Sequence, residues 1–168
     1  HVEEFLDSVG AENVGVVMMD ADTGEVLAMQ SNYSYDLNTP RALENFVPED
    51  KLAGMSEADK MNARYDIWRN FCVSDAYEPG STFKVMTMAA ALDCGAITLD
   101  TAFSCSGSEH IPGRAQLLHC WRSTGHGAQK TPQALQNSCN LAFAHIALKL
   151  GGERFYEYVK NFGILEKT

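Results

Sequence analysis

The sequence contains no long hydrophobic run and comparatively few basic residues. No stretch approaches the roughly 18 uninterrupted apolar residues that a membrane-spanning helix requires. The first residues, HVEEFLDSVG, lack the basic and apolar regions of a secretory signal. Lys and Arg number 13 against 22 Asp and Glu, and the formal charge of −9 argues against a polyanionic partner such as nucleic acid. We therefore expect these residues to be soluble and not to bind nucleic acid.

The composition is that of a folded chain. The 168 residues are 45% hydrophobic and 21% charged, which suffices for a buried core and is too apolar for a disordered chain. One domain, or part of one, is the expected count. The five cysteines are an odd number, so a fully paired disulfide framework is excluded.

The amino-terminal half predicts a β-hairpin followed by a polar segment. Residues 14–20 and 25–30 have strand-like sequences and are joined by a polar turn that contains glycine. Residues 31–70 are polar and charged and contain two prolines, so we expect them to form an excursion away from the core. Within that excursion, Ser56 and Asp59 have the spacing of a capping box at the start of a helix that runs to residue 68.

The carboxy-terminal half predicts mainly helices. Residues 81–94 are apolar on nearly every side, which is typical of a buried helix. Residues 101–121 hold short strand-like runs around Pro112-Gly113, which predicts a loose hairpin. The segment 131–168 opens with a threonine before a proline, the pattern of a capping hydroxyl followed by proline at the first helical position. Three helices are predicted in that segment, over residues 131–137, 140–150 and 153–162.

The most informative segment is YEPGSTFK, which places Ser81 and Lys84 on one face at the start of the apolar helix. A serine hydroxyl is a poor nucleophile until a nearby base takes its proton. A lysine can act as that base when desolvation lowers its pKa, and the amino end of the helix favours a developing oxyanion. The alternative is that Ser81 caps the helix while Lys84 extends to solvent. The preceding Pro-Gly and the apolar helix favour the catalytic interpretation.

A second element, Ser138-Cys139-Asn140, lies between two predicted helices. A serine and an asparagine two positions apart can point into one cleft. Ser138 would then relay a proton between Lys84 and a leaving amine, and Asn140 would orient an acyl substrate through its amide. The alternative is that Asn140 only caps the helix that follows.

Together these motifs resemble the S-x-x-K and S-x-N motifs of penicillin-binding protein transpeptidases and serine β-lactamases. The flanking sequences narrow the resemblance to the class B penicillin-binding proteins, most closely the stage V sporulation protein D type. The segments that carry it occur in the family's order and extend to the last residue: YEPGSTFK, CSG, HCW, GHG, NSCN and FGILEKT. The resemblance implies an α/β fold, the penicillin-binding protein and serine β-lactamase-like transpeptidase fold, present here in incomplete form.

The resemblance also implies a function. Ser81 would be acylated by the D-Ala-D-Ala end of a peptidoglycan stem peptide, with Lys84 as base, Ser138 as proton relay and Asn140 holding the substrate amide. A second stem peptide would then attack the acyl-enzyme and form a cross-link, and β-lactams would block the same serine. No cofactor is expected, and the parent protein would act on the extracytoplasmic face of the bacterial membrane, to which it would be anchored. The alternatives are a serine β-lactamase and a non-catalytic β-lactam sensor or structural domain.

The family's third motif, K-T/S-G on a catalytic strand, is not found in these residues. Lys167-Thr168 follows Asn140 too closely to be that motif and is more similar to a non-catalytic lysine-threonine pair after the family's FG turn. We therefore expect residues 1–168 to be the amino-terminal part of one transpeptidase domain, inactive or weakly active alone. A hairpin edge left exposed would favour self-association.

The cysteines leave three interpretations open. Cys105 and Cys120 flank the predicted hairpin, and a disulfide or redox pair between them is the favoured one. A zinc site is the second, because three histidines lie nearby, but neither C-x-x-C nor H-x-x-x-H spacing is present. Unpaired thiols are the third. Those histidines are His110, His119 and His126.

Cys139, inside the S-x-N element, is a possible nucleophile only if a base lies beside it. His145 follows it at a helical offset that does not share its face. Cys139 is therefore expected to be a small buried residue. Cys72 and Cys94 are expected to be structural as well.

Overall fold

The computed structural model describes residues 2–11, 13–31 and 34–167. The chain forms two compact units, His1–Tyr77 and Glu78–Thr168. Within the described ranges, no helix is both long enough and apolar enough to cross a membrane.

The first unit contains the predicted β-hairpin. A short helix, α1 (Val2–Val9), precedes two antiparallel strands, β1 (Gly15–Met19) and β2 (Val26–Ser31). The turn between the strands is closed by Asp20, whose carboxylate accepts hydrogen bonds from the backbone N–H groups of Asp22 and Thr23 at 3.0 and 2.8 Å. The hairpin prediction is therefore confirmed. Most of the apolar side chains on both strands are exposed.

The polar segment that follows the hairpin holds three helices, α2 (Glu49–Gly54), α3 (Glu57–Trp68) and α4 (Phe71–Ser74). The predicted capping box is confirmed: Ser56 Oγ accepts the N–H of Asp59 at 3.1 Å, and the Asp59 carboxylate accepts the N–H of Ser56. Residues 32 and 33 of the predicted 31–70 excursion lie outside the described residues.

The second unit contains the helices on which the predicted site lies. A 3-10 turn (Gly80–Phe83) leads directly into the first of them. The helices are α5 (Lys84–Asp93), α6 (Thr131–Gln136), α7 (Asn140–Leu150) and α8 (Gly152–Asn161). All were predicted to within a few residues. The prediction that the 81–94 helix is buried on every side is wrong, because the elements of this unit that pack on α5 cover one side and leave Val85 exposed.

The strands of the second unit pair differently from the prediction. A single loose hairpin was expected over 101–121, but β3 (Ala102–Cys105) pairs antiparallel with β6 (Gly127–Lys130). Only the inner strands, β4 (Ser108–Glu109) and β5 (Leu118–His119), pair across the Pro112-Gly113 turn. The pairing of β3 with β6 joins segments far apart in sequence, and local sequence patterns do not specify such a contact.

Thr131 does not cap α6 through its side chain, in contrast to the prediction. The N-cap is Lys130, and the Thr131 hydroxyl donates to the carbonyl of Thr98 at 2.7 Å. Thr131 is almost fully buried, so its hydroxyl needs this partner. The residue therefore ties the start of α6 to the chain before β3 instead of satisfying a helix terminus.

The core of the second unit lies between α5, α7 and the β3–β6 pair. Leu141 and Ile146 of α7 are completely buried, and each contributes about 1.5–3 kcal/mol through burial of apolar surface. Ala91 and Ala142 are small and fully buried, which is compatible with close approach of α5 to α7. This packing fixes the start of α5 relative to the start of α7.

Candidate active site

Ser81 and Lys84 lie where the chain enters α5. Ser81 is in the 3-10 turn and is exposed, and Lys84 is the first residue of the α-helix and is partly buried. Their separation of three residues brings Lys84 Nζ to 3.2 Å from Ser81 Oγ. In the described part of the chain, Ser81 Oγ has no other hydrogen-bond partner. The N-cap of this turn is Pro79, so Ser81 does not act as a helix cap.

Lys84 turns inward and does not extend to solvent. Its Nζ donates to the carbonyl of Ser138 at 2.8 Å and lies 3.0 Å from Ser138 Oγ. It also donates to Asn140 Oδ1 at 2.7 Å. The Phe143 ring lies nearby, with its centroid 5.4 Å from Nζ. The structure thus brings together all four residues that were expected to act together.

Burial lowers the pKa of Lys84 below its ordinary value, because the charged ammonium loses contact with water. The nearby thiol groups of Cys120 and Cys139 oppose this shift, since a thiolate would stabilise the ammonium. Desolvation is the larger effect. A lysine with a lowered pKa holds a larger fraction of neutral amine, which is the form that can accept a proton from Ser81.

The turn that carries Ser138 has an unusual backbone. Ser138 has φ 47°, and among the described residues it is the one non-glycine with a positive φ. Such a conformation costs on the order of 1–3 kcal/mol and persists where the surroundings hold it. Here the N–H of Cys139 donates to Ala134 O at 3.0 Å, and Trp121 Nε1 donates to Asn137 O at 2.9 Å. Sequence reasoning missed this conformation because serine carries no preference for it.

Both polar atoms of the Asn140 side chain form hydrogen bonds. Its Oδ1 accepts from Lys84, and its Nδ2 donates to the carbonyl of His119 at 3.1 Å. Asn140 is the first residue of α7, and the N-cap position belongs to Cys139, so the capping alternative is wrong. An amide Nδ2 has two N–H groups, and the second has no partner in the described part of the chain.

Three thiols and one imidazole lie close together beside the turn at Ser138, which is followed by Cys139. Their ligand atoms all lie within 4.8 Å of one another, and we call the group the thiol–imidazole cluster: Cys105, Cys120, His126 and Cys139. The predicted pair of Cys105 and Cys120 is thus part of a larger group, and both thiols are unbonded in the structure. The other histidines considered, His110 and His119, do not belong to the cluster.

The cluster's thiols differ in their electrostatics. Burial raises the pKa of Cys139 to about 11, which keeps that isolated thiol protonated. Burial also acts to raise the pKa of Cys120, but hydrogen bonds from the backbone N–H groups of Arg122 and Asn140 and from two neighbouring thiols outweigh it, so that pKa falls below its ordinary value. His145 contacts Glu109 at 3.0 Å through Nε2. It therefore has a partner other than Cys139, which is fully buried as predicted.

Two further features lie away from this site. A cavity of about 690 Å³ between α5 and α8 is lined by Asp93 and Tyr158, which share a hydrogen bond of 2.5 Å, and contains none of the four expected catalytic side chains. Of the Lys167-Thr168 pair, Thr168 lies outside the described residues.

Comparison with known proteins identifies relatives along nearly the whole chain. The family model described as the penicillin binding protein transpeptidase domain matches residues 14–168. Stage V sporulation protein D of Bacillus subtilis is 34% identical over 99% of this chain and 23% of its own length. Peptidoglycan D,D-transpeptidase MrdA of Acinetobacter baumannii is 31% identical over 91% of this chain and 22% of its own length.

Comparison with solved structures points to the same family. Penicillin-binding protein A of M. tuberculosis, solved as a ceftriaxone acyl-enzyme complex, superposes with a TM-score of 0.69 and 29% identity, over 89% of this chain and 33% of that one. The mixed helix and sheet described above is therefore part of a penicillin-binding protein transpeptidase fold, with few of its strands. The chain spans about a quarter of the length of the curated relatives it matches.

Proposed function

The chain belongs to the penicillin-binding protein transpeptidase domain family, and on that premise we propose that it supplies the nucleophile of a peptidoglycan D,D-transpeptidase. The observation that carries the proposal is the position of Lys84, whose Nζ lies 3.2 Å from Ser81 Oγ. The same nitrogen contacts the side-chain oxygens of Ser138 and Asn140. A serine beside a partly desolvated amine is the arrangement that nucleophilic catalysis requires.

In the first step, the neutral amine of Lys84 takes the hydroxyl proton of Ser81 as Oγ attacks the carbonyl carbon of a peptide's terminal amide. The tetrahedral intermediate then collapses and the C–N bond breaks. The leaving amine receives a proton from Lys84 through the Ser138 hydroxyl, which is 3.0 Å from Nζ. The products are an ester on Ser81 and a free amino acid.

In the second step, the amine of another peptide attacks the ester on Ser81. Its proton passes back through Ser138 and Lys84, and Ser81 leaves as the hydroxyl. The net result is a new amide bond between two peptides. Asn140 holds Lys84 through Oδ1 and has one N–H of Nδ2 free to meet the substrate's amide carbonyl.

Membership of the family supports a substrate class and a location. We assign a donor stem peptide of peptidoglycan that ends in D-Ala-D-Ala, and β-lactams as inhibitors that acylate the same serine. The support is that relatives are named peptidoglycan D,D-transpeptidases and that a structural neighbour was solved as a β-lactam acyl-enzyme. Cell-wall cross-linking takes place outside the cytoplasm, so the protein acts on the extracytoplasmic face of the bacterial membrane, anchored there.

We also propose that residues 1–168 form the amino-terminal part of one transpeptidase domain. The family model matches nearly all of them, but they contain no K-T-G or K-S-G sequence. The family's third motif, which binds the substrate carboxylate, is therefore not among these residues. The isolated 168-residue chain is accordingly expected to react with penicillin more slowly than the natural full-length protein, and to self-associate through its exposed hairpin edge.

The test uses the natural full-length protein with a donor peptide ending in D-Ala-D-Ala and an amine acceptor. We expect release of D-alanine together with a new donor–acceptor amide, and loss of both in Ser81→Ala. Ser74→Ala is the matched control, because Ser74 is an exposed serine of α4 and has no role in the proposed chemistry. D-alanine release that persists in Ser81→Ala would contradict the proposal.

The same protein distinguishes a transpeptidase from a β-lactamase. A lactamase activates water to hydrolyse the acyl-enzyme, whereas a transpeptidase leaves the penicilloyl ester in place. After labelling with penicillin and removal of the excess, we expect the adduct to persist for hours. An adduct that disappears within seconds would identify a hydrolase and exclude the transpeptidase assignment.

A further inference from the structure

The Nζ atom of Lys84 is surrounded by oxygen atoms and faces an aromatic ring. Oxygens of Ser81, Ser138 and Asn140 lie within 3.2 Å of it. In the described part of the chain, Nζ lies over one ring, that of Phe143, at 5.4 Å from the centroid. A cation over the face of a ring, within about 6 Å of its centroid, is attracted by the negative potential of that face. Phe143 is therefore placed to act on the charge that Lys84 carries.

The oxygens around Nζ suit the neutral amine, which has two N–H groups and one lone pair. The carbonyl oxygen of Ser138 and Oδ1 of Asn140 can only accept, and they lie nearest, at 2.8 and 2.7 Å. They occupy both N–H groups, so the lone pair faces the hydroxyls of Ser138 and Ser81, at 3.0 and 3.2 Å. Transfer of the Ser81 proton turns this lone pair into a third N–H and places a positive charge on the nitrogen.

The titratable groups that act on this charge are thiols. They belong to Cys120, which follows β5, and to Cys139, the N-cap of α7. A thiol stabilises a cation by its charge only after it loses its proton, and burial raises the pKa of Cys139 to about 11. No carboxylate, imidazole or guanidinium of the described residues shifts the pKa of Lys84. The face of the Phe143 ring, in contrast to a thiol, offers negative potential at every pH.

The fold holds the Phe143 ring in this position. Phe143 lies on α7 three residues after Asn140, so one face of the helix brings both the amide and the ring to Lys84. The residue is only 6% exposed and belongs to the core of the second unit. Because water is largely excluded, the attraction between the ring and a cation is stronger than at an exposed site.

We propose that Phe143 is a positioning residue whose ring face stabilises the ammonium formed when Lys84 takes the proton of Ser81. This inference rests on the proposed function, because it concerns the same proton transfer. The proton moves from Oγ to the lone pair of Nζ as Oγ bonds to the substrate's carbonyl carbon, and it leaves Nζ again when the amine departs. The attraction exists only while Lys84 is charged, so it favours the intermediate over the free enzyme and speeds acylation.

A ring that merely excludes water would have the opposite effect on the pKa of Lys84. A ring that attracts the ammonium raises that pKa, so its removal should lower the pKa further. A ring that only keeps water away disfavours the ammonium, so its removal should raise the pKa. The direction of the change in Phe143→Leu therefore separates the two roles, since leucine is apolar but has no ring.

The test follows the titration of Lys84 itself in the natural full-length protein. Trace labelling with acetic anhydride over a range of pH, followed by peptide mapping, gives the rate at which Lys84 reacts. Only the neutral amine reacts, so this rate follows the neutral fraction. We expect Phe143→Leu to move the midpoint to lower pH by about 0.4–1.5 pH units. An unchanged midpoint, or one that moves to higher pH, would overturn the proposal.

Phe103→Leu is the matched control. Phe103 lies on β3 in the same core and is also 6% exposed, but Lys84 does not lie over its ring. A general loosening of the core would move the midpoint in both variants, whereas the proposal predicts a change in Phe143→Leu alone. Equal movement in the two variants would therefore contradict it.

Fluorinated phenylalanines at position 143 keep the ring and its packing, so they remain informative if Phe143→Leu fails to fold. Fluorine withdraws electron density from the ring face and changes the shape of the side chain little. The midpoint of Lys84 should move to lower pH stepwise from the natural ring to singly and then triply fluorinated rings. A midpoint that does not respond to fluorine would contradict an attraction between the ring face and the ammonium.

The rate of acylation by labelled penicillin connects the ring with catalysis. Phe143→Leu should lower that rate by about 2–30-fold at the pH where the wild type levels off, and its rise with pH should be displaced to lower pH. The two readouts fail separately. If Ser81 is not the nucleophile, the midpoint of Lys84 still moves, and if Ser81 is acylated but the midpoint stays in place, the role of Phe143 alone is wrong.

Discussion

Replacing Lys84 with methionine removes the proposed base while preserving most of the side chain's shape. Methionine keeps an unbranched, flexible stem but has no Nζ, so the contacts to Ser81 Oγ, to Ser138 and to Asn140 Oδ1 are all lost. Phe143, which lies 5.4 Å from Nζ, would pack against a thioether instead of an ammonium. The substitution therefore tests the proton transfer more than the packing.

The expected loss of acylation rate in Lys84→Met follows from the contacts of Ser81. No other base contacts its hydroxyl within the described residues, so the rate of acylation should lose the full contribution of general base catalysis, about 10²–10⁴-fold. The dependence of the acylation rate on pH tests the same proton transfer. Burial lowers the pKa of Lys84, and below that pKa each unit of pH raises the neutral fraction about tenfold. Acylation by the wild type should rise with pH and level off below the ordinary pKa of lysine.

The assay is the second-order rate of acylation of the natural full-length protein by labelled penicillin, measured as a function of pH. Lys149→Met is the control, because Lys149 is an exposed lysine of α7 and contacts none of the four residues. Thermal unfolding of both variants checks that they are folded. If Lys84→Met acylates within about tenfold of the wild type and keeps the same rise with pH, Lys84 is not the base.

Two further predictions concern structure. Gly125→Ala should lower the free energy of unfolding by roughly 2–5 kcal/mol in a denaturant titration, because its Cβ would collide with Cys105 O at a positive φ. Gly113→Ala is the control: it has a similar φ but lies in open space, so it should lower the free energy of unfolding by only about 1–2 kcal/mol. Equal losses in the two variants would refute the collision. The hydrogen bond to Asp93 raises the pKa of Tyr158 to about 12. Ultraviolet titration should therefore show a late phenol component that is missing in Tyr158→Phe and shifts to lower pH in Asp93→Asn. An unchanged titration in these variants would refute the assignment.

The features that the sequence predicts correctly are local. The hairpin of β1 and β2 follows from strand-like runs and a glycine-containing turn, and the cap of α3 follows from the spacing of Ser56 and Asp59. The pairing of Ser81 with Lys84 is local too, since three helical positions place them on one face. Each of these contacts is determined by neighbours within a few residues.

The features that it does not predict depend on long-range contacts. The pairing of β3 with β6 joins segments separated by the whole β4–β5 hairpin. It also brings His126 close to Cys105, and Cys120 and Cys139 complete a set that no spacing motif reveals. The left-handed backbone of Ser138 depends on hydrogen bonds from elements before and after it. In hindsight, Gly125, directly before His126, was a signal that this loop approaches another backbone segment, because a Cβ at this position would meet Cys105 O at 2.2 Å.

The most direct test of the central claim is to locate the penicillin adduct in the natural full-length protein. Intact mass after treatment with benzylpenicillin should show one penicilloyl group per chain, and peptide mapping should place it on Ser81. The Ser81→Ala variant should show none, and Lys84→Met should acquire the adduct only slowly. An adduct on any other residue, or a protein that Ser81→Ala leaves fully labelled, would contradict the assignment of Ser81 and Lys84 as nucleophile and base.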